Sequence, residues 1–190
     1  MQSLTLSNHR PLDVREMEGR LPATYGSSAV EIPGARSLLD SLIDRKALWA
    51  IVTSGTVPLV GGWLKALSLP SPPSDRLVTA ESVANGKPDP ACYLLGRKTL
   101  GLADSDGKKI LVLEDSPAGI AAGKAAGCRV LGLVTSHTLE QVVAAEPDWV
   151  VRDLASVVVV DDRTEDGGPV TLEIRDAWER TSIGKTNGVA

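Results

Sequence analysis

"KKILVLEDSPAGI", residues 108–120, runs a short apolar segment directly into Glu114 and Asp115, then into Ser-Pro and a stretch of small residues. An apolar run bounded by polar residues fits a buried strand, and Ser-Pro before small residues fits a helix start. Two adjacent carboxylates at that junction repel one another and resist burial, so a metal ion, a basic side chain or water must reach them. The stretch predicts a strand, an acid pair and a helix in succession.

Outward from it, the same alternation recurs. Apolar runs at 48–53, 76–80, 109–113, 128–134 and 148–151 are separated by candidate helices at about 56–67, 88–100, 117–126 and 138–145. Short apolar runs alternating with helix-length segments predict βαβ units and an open parallel α/β sheet. Upstream, 12–21 and 34–46 read as amphipathic helices joined by the turn-rich "PATYGSSAVEIPG". Downstream, "VVVVDDRTEDGGPVTLEI" (157–174) reads as two extended segments around an acidic Gly-Gly-Pro turn, followed by a polar tail expected to be loose.

Composition sets the outer limits. A chain of 190 residues, 43% hydrophobic and 23% charged, suffices for one well-buried core. Phe is absent and aromatics make up 3%, so Ala, Val, Leu and Ile must build that core. A net charge of -4 offers no general attraction to nucleic acid or to an anionic membrane, so a phosphate would have to be held by local groups. No segment has the continuous apolar length of a membrane span, and the first residues lack the apolar core of a signal peptide, which leads to the expectation of a soluble cytoplasmic protein. Cys92 and Cys128 stand alone in apolar surroundings and are expected to be buried free thiols.

In open α/β sheets, ligands collect beyond the carboxyl ends of the strands. Three places qualify: Thr53, Ser54 and Gly55 after the first run, Lys87 after the second, and Glu114 with Asp115 after the third. A hydroxyl beside a glycine turn and a helix start suits a phosphate oxygen, and lysine supplies a point charge for it. Two carboxylates suit magnesium, which takes one or two such ligands together with waters and substrate phosphate. Singly, each feature reads as well as a turn, a solvated loop lysine or charge complementation at a helix start. Their convergence at successive strand ends points to a phosphate site.

Other stretches invite the same reading and fail it. In "GIAAGKA", Gly119 and Gly123 are one residue too close for a P-loop, and Ala125 stands where a metal-binding hydroxyl is needed. "ADSDGKK" (103–109) offers Asp104 and Asp106, but ahead of a strand, at the edge of the sheet opposite Glu114. The acids ending "VVVVDD" read as a solvated turn, and His9 and His137 lack partners at useful spacing.

With "VEIPGA", "AIVTSGT", "NGKPDPACYLLG" and "LEDSPAGIAAGKAAG" in hand, the chain resembles the haloacid dehalogenase superfamily of aspartyl phosphotransferases. Within it, the likeness is to fungal glycerol-phosphate and 2-deoxyglucose-6-phosphate phosphatases, over about residues 12–175. The order hydroxyl, lysine, acid pair separates it from response-regulator receivers, which place the acid pair first and the lysine last. The resemblance implies a Rossmann-like core with a helical cap. It also implies magnesium-dependent hydrolysis of a small phosphate monoester, such as glycerol phosphate or a sugar phosphate, through an aspartyl-phosphate. Thr53 and Lys87 would be catalytic, Thr53, Ser54, Gly55 and Lys87 would hold the phosphoryl group, and Glu114 and Asp115 would hold magnesium.

The family's DxDGT-type nucleophile loop, directly after its first strand, has no counterpart in that place. The first strand and most of the cap are therefore expected to be missing, and the chain to be inactive or truncated. The alternative is a non-catalytic binder of magnesium and phosphate, or a protein-interaction module. Residues 1–33 are expected to be a cap remnant and linker, 34–175 the core and 176–190 a loose tail.

Overall fold

The computed structural model describes residues 13–160 and 169–178; His9, the acids after Val160 and the tail from Thr181 lie outside them. The chain enters with α1 (Val14–Tyr25), capped by Asp13, whose side chain accepts from Arg15 N, and α2 (Ala35–Asp44) follows. Helix α1 passes Leu21, its expected end, and continues through Pro22. Local sequence favours a stop there, because proline lacks the N–H that the helix needs. Tertiary packing overrides it: Pro22 is buried against α3 (Val57–Ala66), where a Cβ on Gly62 would come within 2.6 Å of it. A Cβ on Gly19 would likewise meet Pro58 at 3.0 Å, so two glycines set the close approach of these helices.

Between α2 and α3 lies β1 (Ile51–Val52), paired in parallel with β2 (Leu77–Val78). Then come α4 (Ala91–Thr99), β3 (Leu111–Glu114), α5 (Pro117–Ala125), β4 (Arg129–Leu133), α6 (Leu139–Ala144) and β5 (Trp149–Val151). Strands β3, β4 and β5 form a parallel sheet in that order, with Leu111 opposite Arg129 and Glu114 opposite Gly132. The parallel strands thus fall into two sheets. The apolar run at 48–53 is ordered as strand over Ile51–Val52 alone, the two residues that pair with β2. Finally, β6 (Val157–Val160) and β7 (Thr171–Ile174) form the expected extended pair, in antiparallel register.

Side chains alternate across the three-stranded sheet, as strand geometry requires. Val112, Val130 and Val150 pack with Ile120, Ala122, Val142, Cys92 and Tyr93 beneath α4, α5 and α6. Leu131 and Val151, with the half-buried Leu113 and Trp149, pack on the other face with Leu38 of α2 and Val157 and Val159 of β6. Each fully buried Leu, Ile or Val contributes roughly 1.5–3 kcal/mol. Both Cys92 and Cys128 are buried free thiols, as expected. Among the described residues, no helix is long and apolar enough to cross a membrane.

Candidate functional site

Parallel βα units turn each strand's last residue and the next helix's first turn toward the same sheet edge. Glu114 closes β3 there, 6% exposed. Its Oε2 accepts from the backbone N–H of Asp115 and of Ser116, both at 3.1 Å, and from Ser116 Oγ at 3.0 Å. Its Oε1 accepts from the Tyr93 hydroxyl at 2.6 Å and from Lys87 Nζ in a buried ion pair. Ser116 is also the N-cap of α5, its Oγ accepting from Gly119 N at 3.0 Å. The carboxylate lies so tightly under this first turn that a Cβ on residue 119 would fall on top of it, so any side chain there must displace the carboxylate.

Burial pushes the Glu114 carboxyl up, but the Lys87 charge and the hydrogen bonds from Lys87, Tyr93 and Ser116 outweigh it and hold the group below its ordinary value. Tyr93 is driven the other way, first by burial and then by the Glu114 charge, so its hydroxyl stays protonated and donating.

Lys87 arrives from the loop before α4, its side chain 9% exposed. Nζ donates to Val52 O at 3.3 Å and lies 5.0 Å from the centre of the Tyr93 ring. The lysine therefore bridges the two parallel sheets, from the last residue of β1 to the last residue of β3. Thr53 follows Val52 directly; its N–H donates to Val78 O at 2.9 Å and its Oγ1 accepts from Gly55 N at 3.1 Å. The Thr53 hydroxyl proton is thereby left available, and Ser54 at the tip of the turn is exposed. Helix α3 begins beyond Gly55. Its leading amides are already engaged by carboxylates from elsewhere, Thr56 N by Glu18 at 2.9 Å and Val57 N by Glu81 at 3.2 Å.

Asp115 is half-buried, and its Oδ2 accepts from Thr135 Oγ1 at 3.0 Å, just beyond β4. Among the described residues, Oδ1 takes no hydrogen bond, which leaves a hard anionic oxygen of the kind magnesium takes. Glu114 fits a metal poorly, because both its oxygens are taken by protein donors. Among the described residues, no cluster of three or more His, Cys, Asp or Glu side chains is suited to a metal. The residues fit a metal held by one carboxylate oxygen, with water and a ligand's phosphate completing the shell.

Lys87 and Glu114 thus meet directly, Thr53 follows Val52, the lysine's backbone acceptor, Asp115 follows Glu114, and Ser54 and Gly55 complete the turn after β1. Asp106 caps a turn ahead of β3, accepting from Lys108 N at 3.0 Å, with Asp104 just before it. A four-residue strand spans about 10 Å, so both acids stand at the far end of β3 from Glu114. Three residues escaped the sequence reading: Tyr93, Gly119 and Thr135. Thr135 was within reach of the strand-end rule, since it follows the run at 128–134. Tyr93 and Gly119 carry no local signal of a site; one looks like core and the other like a small packing residue.

Residues 12–127 match the model of the haloacid dehalogenase-like hydrolases. Glycerol-1-phosphate phosphohydrolase 1 of Saccharomyces cerevisiae is 39% identical over 77% of this chain and 60% of its own length. From the same yeast, 2-deoxyglucose-6-phosphate phosphatase 2 is 36% identical over 82% of this chain and 68% of its own length. A hydrolase of known structure from Pseudomonas syringae superposes with a TM-score of 0.63 at 26% identity, over 72% of this chain and 64% of that one.

Proposed function

The chain belongs to the haloacid dehalogenase-like hydrolases, and on that premise we propose that its site binds the phosphate of a small monoester, glycerol phosphate or a sugar phosphate, for magnesium-dependent hydrolysis. The observation that carries this reading is the buried Lys87, held between Val52 O and Glu114 at the edge where Thr53 and Asp115 also stand.

Each group has a part set by its chemistry. Lys87 spends one N–H on Val52 O and one on Glu114, which leaves the third for a phosphate oxygen. The Thr53 hydroxyl accepts from Gly55 N, so its proton is free to donate to the same group. Glu114 serves as the lysine's counter-ion, while Asp115 is the side chain that would hold magnesium through Oδ1, oriented by Thr135. Bound there, the metal would supply a Lewis acid that withdraws charge from the phosphoryl oxygens. Positive charge from Lys87 and donation from Thr53 lower the cost of charge spreading over those oxygens.

A second reading, phosphate binding without turnover, rests on one observation. The residues after β1 are Thr53, Ser54 and Gly55, and among the described acids near this edge Glu114 is hydrogen-bond-saturated, Asp115 accepts from Thr135, and Glu18 and Glu81 accept from the amides of Thr56 and Val57. An attacking carboxylate is not among them.

Phosphate release from glycerol phosphate and from a hexose phosphate, measured with magnesium for the full chain and for Lys87→Met and Asp115→Asn, tests both. Release lost in both variants supports hydrolysis at this site; release undiminished in Lys87→Met overturns the assignment. Binding of inorganic phosphate with no release by the unmodified chain selects the second reading.

A further inference from the structure

A lysine side chain has four flexible bonds, and an ammonium group can turn any of its three N–H groups toward any acceptor. For Lys87 to keep one N–H for a ligand, its partners must be prevented from taking more than their share. Val52 O is fixed in the backbone of β1. Glu114 is the partner that could turn, because a free carboxylate can rotate and offer an ammonium either or both of its oxygens.

Tyr93 removes that freedom. It sits in the first turn of α4, 7% exposed, and its hydroxyl donates to Oε1, the same oxygen that Lys87 uses. One lone pair of Oε1 is thereby filled by tyrosine and the other by lysine, while Oε2 is held by Asp115 N, Ser116 N and Ser116 Oγ. The Tyr93 ring meanwhile forms a wall beside the ammonium, with Nζ 5.0 Å from its centre, within range of a cation–π attraction. A single side chain thus restrains both members of the ion pair.

We propose that Tyr93 is the positioning residue for Lys87: its hydroxyl limits Glu114 to one lysine N–H and its ring fixes the ammonium, so that the remaining N–H is presented to phosphate. The inference rests on Lys87 being the phosphate-binding cation. Removing the hydroxyl leaves Oε1 held by lysine alone, so the carboxylate can turn and draw the ammonium with it, away from the ligand. Removing the ring as well releases the side chain.

The test is titration of the full chain with inorganic phosphate in the presence of magnesium, followed by phosphorus NMR, for the unmodified chain, Tyr93→Phe, Tyr93→Leu, Lys87→Met and the double variant Lys87→Met/Tyr93→Phe. Lys87→Gln serves as a second charge-removing probe if Lys87→Met does not fold, and thermal midpoints report stability separately. Tyr93→Phe is expected to weaken phosphate binding up to about tenfold, the equivalent of one hydrogen bond to a charged group, and Tyr93→Leu to weaken it further. The double variant should bind no more weakly than Lys87→Met, because tyrosine acts only through the lysine. Full affinity in Tyr93→Phe and Tyr93→Leu beside a weakened Lys87 variant overturns the positioning role alone, as does a double variant with additive losses. Full affinity in the lysine variants overturns the phosphate assignment itself, and this inference with it.

Discussion

The two halves of the site are built in opposite ways. At the acid end, β3 leads into α5 through a junction that satisfies itself: Ser116 caps the helix, its backbone and hydroxyl bind Glu114, and Gly119, Ile120, Ala122 and Gly123 are buried. At the hydroxyl end, β1 leads into α3, a helix in which no residue is buried. Its first amides are satisfied by Glu18, 38 residues upstream, and by Glu81, 24 residues downstream. Thr56, the residue preceding α3, is 4% exposed, yet its Oγ1 has no hydrogen-bond partner among the described residues. One helix start is capped by its own serine; the other is satisfied by residues far along the chain.

The sharpest way to break this contrast is Gly119→Ala. The added methyl occupies the space of the Glu114 carboxylate, so the acid must leave its pocket and abandon Lys87. Breaking a buried ion pair from one side costs about 3–5 kcal/mol. Chemical denaturation should show a loss of that order together with lost phosphate binding; a loss below about 1 kcal/mol, a typical surface effect, would mean the pocket is looser than its contacts indicate.

Acid comes next in size. Because the folded protein holds the Glu114 carboxyl below its ordinary value of 4.5, the unfolded chain binds its proton first as pH falls. The stabilisation is complete above that value and is lost as pH drops through it toward the folded value. Thermal midpoints measured between neutral pH and pH 3 should fall for the native chain, and Glu114→Gln, already destabilised at neutral pH, should fall less steeply. Parallel curves would assign the acid lability to other carboxylates.

The smallest effects compare the two helix starts directly. Ser116→Ala removes both the α5 cap and a donor to Glu114, and is expected to cost about 1–2 kcal/mol. Thr56→Val exchanges an unpartnered hydroxyl for a methyl of the same shape, and is expected to be neutral or slightly stabilising. Equal losses in the two variants, measured by denaturant midpoint, would erase the distinction between the halves.

Much of this was legible before folding. The acid pair, Lys87 and Thr53 were found because the strand-end rule depends only on the order of apolar runs, and that order is a sequence property. Which strands pair with which was not legible, since a run of apolar residues does not name the strand beside it. Nor was the course of α1 through Pro22, where a local stop signal yields to packing against Gly62. Glu114 and Asp115 looked equivalent as neighbours; their different surroundings make one the partner of Lys87 and leave the other an oxygen to spare.

By itself, then, the sequence determined the alternating α/β plan and the chemical groups at the sheet edge, because periodicity and strand-end position are local properties. Tertiary structure alone decided which carboxylate neutralises the lysine, that Tyr93 donates to that carboxylate while Gly119 leaves room for it, and that distant glutamates cap α3. Those outcomes depend on distances of a few ångströms between residues far apart in the chain, which no local pattern encodes.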